Sequence, residues 1–168
     1  MRMARIILTA VLAAQAISAF VLDWKPNHLL NPLWHPHARF HGGLLLFFLA
    51  GASATGLWLL WRRSPEPHVG ITAAALISMS FWSPLLYAAL LVPGSSAWAG
   101  NPTAVPHIAG HVFYPNEAVA AAVLAITAGA WLASRRAGGG AVVRPLSQLR
   151  RDIERDPSYN KRGGHPKM

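Results

Sequence analysis

Four long stretches of the chain are almost entirely apolar, and polar residues gather between them and at both ends. The stretches span 6–22, 44–61, 70–92 and 118–134, and none contains Asp, Glu, Lys or Arg. Each approaches the roughly 20 apolar residues that cross a bilayer as one helix, and a backbone in lipid has to satisfy its own hydrogen bonds. The pattern predicts an all-α integral membrane protein built as a bundle of four transmembrane helices.

The first stretch has a second interpretation. Arg2 and Arg5 precede the apolar run, and small residues lie near 16–19, which is also typical of a secretory signal peptide. The run continues through 20–22 to an Asp-Trp pair, which favours a helix that stays in the membrane. The sequence leaves cleavage of this helix open.

Basic residues predict the orientation. All of the 15 Lys and Arg residues except Lys25 and Arg39 lie before the first span, between the second and third, or after the fourth. Lys and Arg favour the cytoplasmic side of a membrane. Both termini are therefore predicted to be cytoplasmic, and the long connections 23–43 and 93–114 are predicted to face outward.

Charge and composition narrow the choice of partners. A net charge of +9 is typical of chains that bind nucleic acid or a membrane surface, but orientation accounts for this charge, so the lipid bilayer is the predicted partner and nucleic acid is not. A homo-oligomer or a membrane partner stays open. Residues 135–168 are predicted to form a separate basic cytoplasmic tail, partly disordered, in which 146–153 is either solvated or a short interfacial helix. The absence of cysteine excludes disulfides, iron–sulfur clusters and thiol catalysis.

Histidine is concentrated in the two outward connections. Of eight histidines, only His68 and His165 lie elsewhere. In each connection a proline precedes a His-x-x-x-His pair, and proline suits the first position of a helix. The spacing then places both imidazoles on one helical face. These pairs are His37 with His41 and His107 with His111.

The two pairs predict a polar site at the outer face. Together they provide a four-His metal site, or a three-His site completed by Asp23 or Glu117. Imidazole and carboxylate ligands suit Zn, Fe or Cu, and the sequence does not choose among these ions. The candidate metal ligands are His28, His37, His41, His107 and His111. Without a metal, the same histidines act as general acid and base, because their charge changes near neutral pH; the candidate catalytic residues are His37, His41, Asp23 and Glu117.

A candidate binding region for an apolar molecule lies in the third span. Pro84 cannot donate a backbone hydrogen bond, so a kink or local opening is expected there. Trp82 and Tyr87 flank this point, and they either line a pocket that opens toward the histidines or pack in the bundle. In the first connection, Asn31 is the candidate residue for a polar head group, and Trp34 is a further candidate substrate-binding residue.

The first connection also carries an ordered motif, N-H-x-x-N-P-x-W-x-P-H-A-x-F-H, over 27–41. This motif resembles the signature of a family of small uncharacterised membrane proteins, in which a hydrophobic helix follows it. Lys25 and Pro26 depart from the family's pattern just before the motif, and His35 occupies a variable place within it. The resemblance implies a four-helix membrane protein and supplies no reaction.

Two functional hypotheses remain. The first is a membrane enzyme, metal-assisted or acid–base, that acts on a lipid-like or apolar substrate held between the helices. The second is a non-catalytic accessory subunit, or a protein that binds a metal or haem. Transport is disfavoured, because no charged residue interrupts a span.

Overall fold

Four long helices dominate the computed structural model, which describes residues 1–98 and 105–138. They are α1 (Arg2–Asp23), α2 (Pro36–Trp61), α3 (Pro67–Trp82) and α5 (Pro115–Gly138). Between α3 and α5 lie a 3₁₀ helix (Ser83–Leu86), a short helix α4 (Ala88–Leu91) and the strands β1 (His107–Ile108) and β2 (His111–Val112). The predicted tail beyond 138, with its candidate interfacial helix, lies outside the described residues.

All four long helices are long and apolar enough to cross a membrane, when α3 is counted with its 3₁₀ extension to Leu86. The chain therefore has the architecture of a small multi-pass membrane protein. We call one end of the bundle the histidine end, because α1 ends there and α2 and α5 begin there, beside the histidine-rich connections. We call the other the arginine end, where six arginines lie: Arg2, Arg5, Arg62, Arg63, Arg135 and Arg136.

Helices α1 and α3 form the centre of the bundle. Each contacts all three other long helices, whereas α2 and α5 contact α1 and α3 but not each other within the described residues. The buried apolar side chains form two clusters. The cluster at the arginine end includes Leu8, Leu12, Leu60 and Ile71; the cluster at the histidine end consists of Ala19, Leu29, Leu46 and Leu49.

Buried polar side chains separate the two clusters. Gln15 Nε2 donates to Ser53 Oγ at 3.0 Å, which links α1 to α2. The hydroxyls of Ser78 and Thr127 lie 3.3 Å apart and link α3 to α5. Hydrogen bonds of this kind hold helices together in lipid, where apolar surface provides little driving force for association. We call these four residues the polar layer.

Two helix boundaries differ from the predicted spans by more than four residues. Helix α2 begins at Pro36, well before the predicted start at 44, so its first turns carry the histidine pair. Helix α3 ends as an α-helix at Trp82, and the 3₁₀ helix that follows contains Pro84. The change to 3₁₀ geometry comes one residue before Pro84, which has no backbone N–H for the carbonyl of Ser80; the predicted kink or local opening stays a prediction.

Candidate functional site

The connection between α1 and α2 is a series of turns anchored by one buried leucine. The backbone N–H of Leu29 donates to the carbonyl of Asp23 at 3.0 Å, and its side chain is only 5% exposed. A Cβ atom on Gly42 would lie 2.6 Å from Leu29 Cδ1, so a larger residue at this position of α2 would displace the end of the leucine side chain. This contact fixes the connection against the first turns of α2.

The start of α2 is set by two residues. Pro36 occupies the first turn, as the sequence predicts, and His35 is the N-cap residue. His35 Nδ1 accepts a hydrogen bond from the backbone N–H of His37 at 3.3 Å. His35 therefore caps the N-terminus of α2, and its Nδ1 atom is already engaged in a hydrogen bond with the backbone.

His37 and His41 meet on this helix as their spacing predicts. Their Nε2 atoms lie 2.9 Å apart, and the ring centroids are 4.4 Å apart at 85°. Phe40 stacks on the His37 ring with a centroid distance of 6.2 Å. One imidazole donates to the other, so the pair shares a single proton between two nitrogens.

The pair faces away from the bundle interior. His37 and His41 are exposed, on the side of α2 that also carries the exposed Leu45 and Phe48, while Leu46 and Leu49 are buried on the other side. An apolar molecule held between the helices would not reach these imidazoles. Both rings are instead open to the surroundings at the histidine end.

A second imidazole contact involves the end of α1. His28 Nε2 lies 3.5 Å from Asp23 Oδ1, and both side chains are partly exposed. The His28 ring also contacts the Trp34 ring at a centroid distance of 5.2 Å. A carboxylate that holds a histidine in one orientation is a common feature of acid–base and metal sites.

The second His-x-x-x-His pair adopts a different structure from the one predicted. His107 and His111 lie on two antiparallel strands, with His107 opposite Val112 and Ile108 opposite His111. Paired residues share a face and neighbours alternate, so the two histidines lie on opposite faces of the hairpin. The prediction of a short helix here is wrong, because Ala109 and Gly110 have φ of 51° and 83° and form a tight two-residue turn.

The structure therefore does not bring the two pairs together. Within residues 1–98 and 105–138, no group of three His, Asp or Glu side chains is placed to hold a metal ion. His107 Nδ1 lies 2.7 Å from the carbonyl of Val105. Glu117 lies in the first turn of α5, where a negative charge complements the helix dipole.

The candidate substrate-binding residues are also dispersed. Asn31 Oδ1 accepts from the backbone N–H of Leu33 at 2.9 Å and so shapes a turn. Trp34 is 36% exposed, Tyr87 is 44% exposed beside the 3₁₀ helix, and Trp82 is 9% exposed inside the bundle. Trp82 and Tyr87 thus lie in different environments rather than along one pocket.

A shallow apolar groove of about 420 Å³ lies instead at the histidine end of α1 and α2. Its walls are Phe20, Val21, Trp24 and Phe47, with Phe20 and Phe47 edge to face at 5.5 Å. Sequence reasoning missed this groove, because only the packing of α1 against α2 places Phe47 beside the α1 aromatics. The aromatic residues at the end of the first span were the available signal.

Comparisons with known proteins identify a family. The sequence model of a family described as "Family of unknown function (DUF6640)" matches residues 5–144, which agrees with the resemblance to an uncharacterised family. No curated protein and no solved structure matches the chain.

Proposed function

We propose, from the premise that this chain belongs to the DUF6640 family of unknown function, that it is a multi-pass membrane protein that binds a divalent transition-metal ion through His37 and His41. The basic residues at the arginine end support an outward position for the histidine end. The ion would then be taken from the side of the membrane opposite the cytoplasm.

The observation that carries this proposal is the distance between the two Nε2 atoms. They lie 2.9 Å apart on consecutive turns of one helix, with both rings exposed. A metal–imidazole bond is about 2.0–2.1 Å long. An ion that replaces the shared proton is therefore within reach of both nitrogens after a small rotation of each ring.

A ring rotation that keeps the two Nε2 atoms near this separation favours one class of ion. Two nitrogens 2.9 Å apart, each about 2.05 Å from an ion, subtend an angle of about 90°. Square-planar and tetragonal Cu(II) and Ni(II) use this angle, whereas the tetrahedral angle of Zn(II) requires a separation of roughly 3.4 Å. The pair also does not suit haem, whose two axial ligands lie on opposite sides of the iron.

The site as proposed has two protein ligands, and water completes the coordination. Because no third His, Asp or Glu joins the pair within the described residues, the ion is held by an open and exchangeable site. Structural metal sites are closed by four ligands. An open site suits capture of an ion and its transfer to another molecule.

Calorimetric titration of the untagged protein in detergent with Cu(II) tests the proposal. We expect one ion per chain, and the double variant His37→Ala/His41→Ala should weaken binding by about tenfold or more, because ligands at cis positions act together. The matched control is His107→Ala/His111→Ala, which removes two histidines of equal sequence spacing and should leave binding unchanged. Equal losses in the two double variants would contradict the proposal.

A second candidate function is acid–base chemistry on an amphiphile, and the contact between Asp23 and His28 favours it. Asp23 lies on α1 between Val21 and Trp24, two walls of the apolar groove. An apolar chain in the groove would place its head group near the end of α1. His28 would then exchange a proton with the head group while Asp23 orients its ring.

Photo-crosslinking with a diazirine-bearing fatty alcohol tests this second candidate. The crosslink should map to the segment 20–24 and to Phe47, and the groove-filling variant Val21→Trp should remove it. His28→Gln should leave the crosslink in place, since His28 is assigned to chemistry rather than to the groove. Uniform labelling of all four long helices would exclude a specific groove site.

A further inference from the structure

Three tryptophan indoles on the long helices differ in their hydrogen-bond partners. Trp61 Nε1 donates to Thr9 Oγ1 at 2.9 Å, and Trp131 Nε1 donates to Thr72 Oγ1 at 3.1 Å. Trp82 is the most buried of the three, and its Nε1 is inaccessible and has no hydrogen-bond partner among the described residues. Two of these indoles thus use a hydroxyl as acceptor, and the third has none in that part of the chain.

Gln15 leaves the complementary atom unpaired. Its side chain is fully buried, and its Nε2 donates to Ser53. Its Oε1 is buried, and no group in the part of the chain that the structure describes bonds to it. An unpaired buried polar group costs about 1–3 kcal/mol. Within the described residues, three buried side-chain atoms have no partner: Arg5 Nε near the start of α1, the donor on Trp82 and the acceptor on Gln15.

The register of the helices places the backbone positions of Gln15 and Trp82 at similar depth. A Cβ on Gly56 would lie 2.8 Å from Leu12 Cδ1 and 3.3 Å from Ile77 Cδ1, so these three residues share one level. At 1.5 Å per residue, Gln15 lies about 4.5 Å and Trp82 about 7.5 Å from that level, both toward the histidine end.

Both residues also belong to the buried faces of their helices, and those helices touch. Gln15 follows Leu8 and Leu12 along the buried face of α1. Trp82 follows Ala75 and Ser78 along the buried face of α3. Helices α1 and α3 are in direct contact. The free acceptor and the free donor therefore lie in the same part of the bundle centre.

We propose that Gln15 and Trp82 together bind one neutral hydroxyl group between α1 and α3. Its oxygen accepts from Trp82 Nε1 and its hydrogen is donated to Gln15 Oε1, so a single O–H group satisfies both. A water molecule and the alcohol of an apolar compound share this chemistry. A charged ligand is disfavoured, because the polar layer contains only neutral side chains and an uncompensated ion is costly in an apolar interior.

The end of α3 provides the means of entry. Both unpaired atoms are closed off from solvent, so a ligand enters only when neighbouring side chains move. The residue after Trp82 begins the 3₁₀ helix that contains Pro84, and 3₁₀ geometry inside a helix often marks a hinge. Movement at this junction would displace Trp82 and open the centre of the bundle.

Nuclear magnetic resonance of the ¹⁵N-labelled chain in nanodiscs tests this proposal. The indole signals are assigned with single Trp→Phe variants, and cross-peaks from each indole N–H to hydroxyl protons are measured. Trp82 should show a cross-peak to a hydroxyl proton of water or of an added alcohol, whereas the part-buried indole of Trp131 should show only the hydroxyl proton of Thr72, its acceptor. The variant Gln15→Met should shift the Trp82 signal and remove the cross-peak, and Trp61→Phe, the matched control, should leave both unchanged.

The source of the hydroxyl is read from the same samples. A cross-peak at the water frequency identifies water, and a saturable shift of the Trp82 signal on addition of 1-decanol identifies an alcohol. Either result supports the proposal. If Gln15→Met shifts the Trp82 signal but neither hydroxyl is detected, the indole bonds the amide directly and the proposal is wrong. It is also wrong if the variant leaves the Trp82 signal unchanged.

Discussion

The segments 36–41 and 106–111 share the pattern Pro-His-x-x-x-His and fold differently. In the first, Ala38, Arg39 and Phe40 continue a helix that runs on into an apolar span, and the two imidazoles meet at 2.9 Å. In the second, a two-residue turn at Ala109 and Gly110 separates the imidazoles onto opposite faces of a hairpin. Equal spacing in sequence therefore provides a paired site only where the backbone is helical.

The surroundings of the two segments also differ. The first is fixed to the bundle through Leu29, which is buried against Gly42. In the second segment, every residue of the hairpin from His107 to Val112 is exposed. Two histidines that have to stay at a defined distance need a backbone that is anchored to the bundle, as the first segment is. A metal site whose ligands are not held in place by the surrounding residues loses affinity.

The largest expected difference between these regions is in stability. Leu29→Ala should lower the free energy of unfolding by about 2–5 kcal/mol, because it leaves a cavity in the cluster at the histidine end. The matched variant Ile108→Ala, at a side chain that is 58% exposed, should change it by no more than about 0.5 kcal/mol. Denaturant titration of the purified protein measures both. Similar effects at the two sites would show that the first segment is not anchored by Leu29.

The next largest effect concerns the register of the first pair. Moving the second histidine with Arg39→His/His41→Ala keeps two histidines but places them about 200° apart around the helix. Cu(II) binding should weaken about tenfold or more, as it does in His41→Ala alone. Calorimetric titration of both variants makes the comparison. Wild-type affinity in the double variant would mean that histidine content, not helical geometry, sets binding.

The smallest expected effects are the changes in stability when two glycines are replaced with alanine, and these changes have opposite signs. Gly43 lies inside α2, and a Cβ there would meet nothing within 4 Å, so Gly43→Ala should stabilise the protein by about 0.5–1 kcal/mol. Gly110 has a φ of 83°, and Gly110→Ala should destabilise the hairpin by about 1 kcal/mol. Thermal unfolding reports the first change, and amide exchange in the hairpin reports the second. Changes of the same sign would contradict the assigned backbone conformations.

Much of this architecture is predictable from the sequence for physical reasons. Uncharged apolar stretches of sufficient length predict four candidate spans. Pro36 at the start of a helix predicts that His37 and His41 lie on one face. Pro84 predicts a change of backbone geometry near Trp82. Each of these conclusions depends on local chemistry alone.

The remainder depends on information that these local rules do not contain. The hairpin at 106–111 was missed although Gly110 lies between the β-branched residues Ile108 and Val112, which is typical of a tight hairpin turn. The groove beside Phe47 and the unpaired atoms of Gln15 and Trp82 arise from tertiary packing. Gln15, a large polar residue within an apolar span, was the one available sign of the polar layer.

Pulsed electron paramagnetic resonance of untagged protein with one equivalent of Cu(II) tests the central claim most directly. The modulation counts the imidazoles bound to the ion. We expect two imidazoles in the wild-type protein, two in His107→Ala/His111→Ala and one in His41→Ala. A single imidazole in the wild-type protein, or a loss of imidazoles in His107→Ala/His111→Ala, would contradict the account.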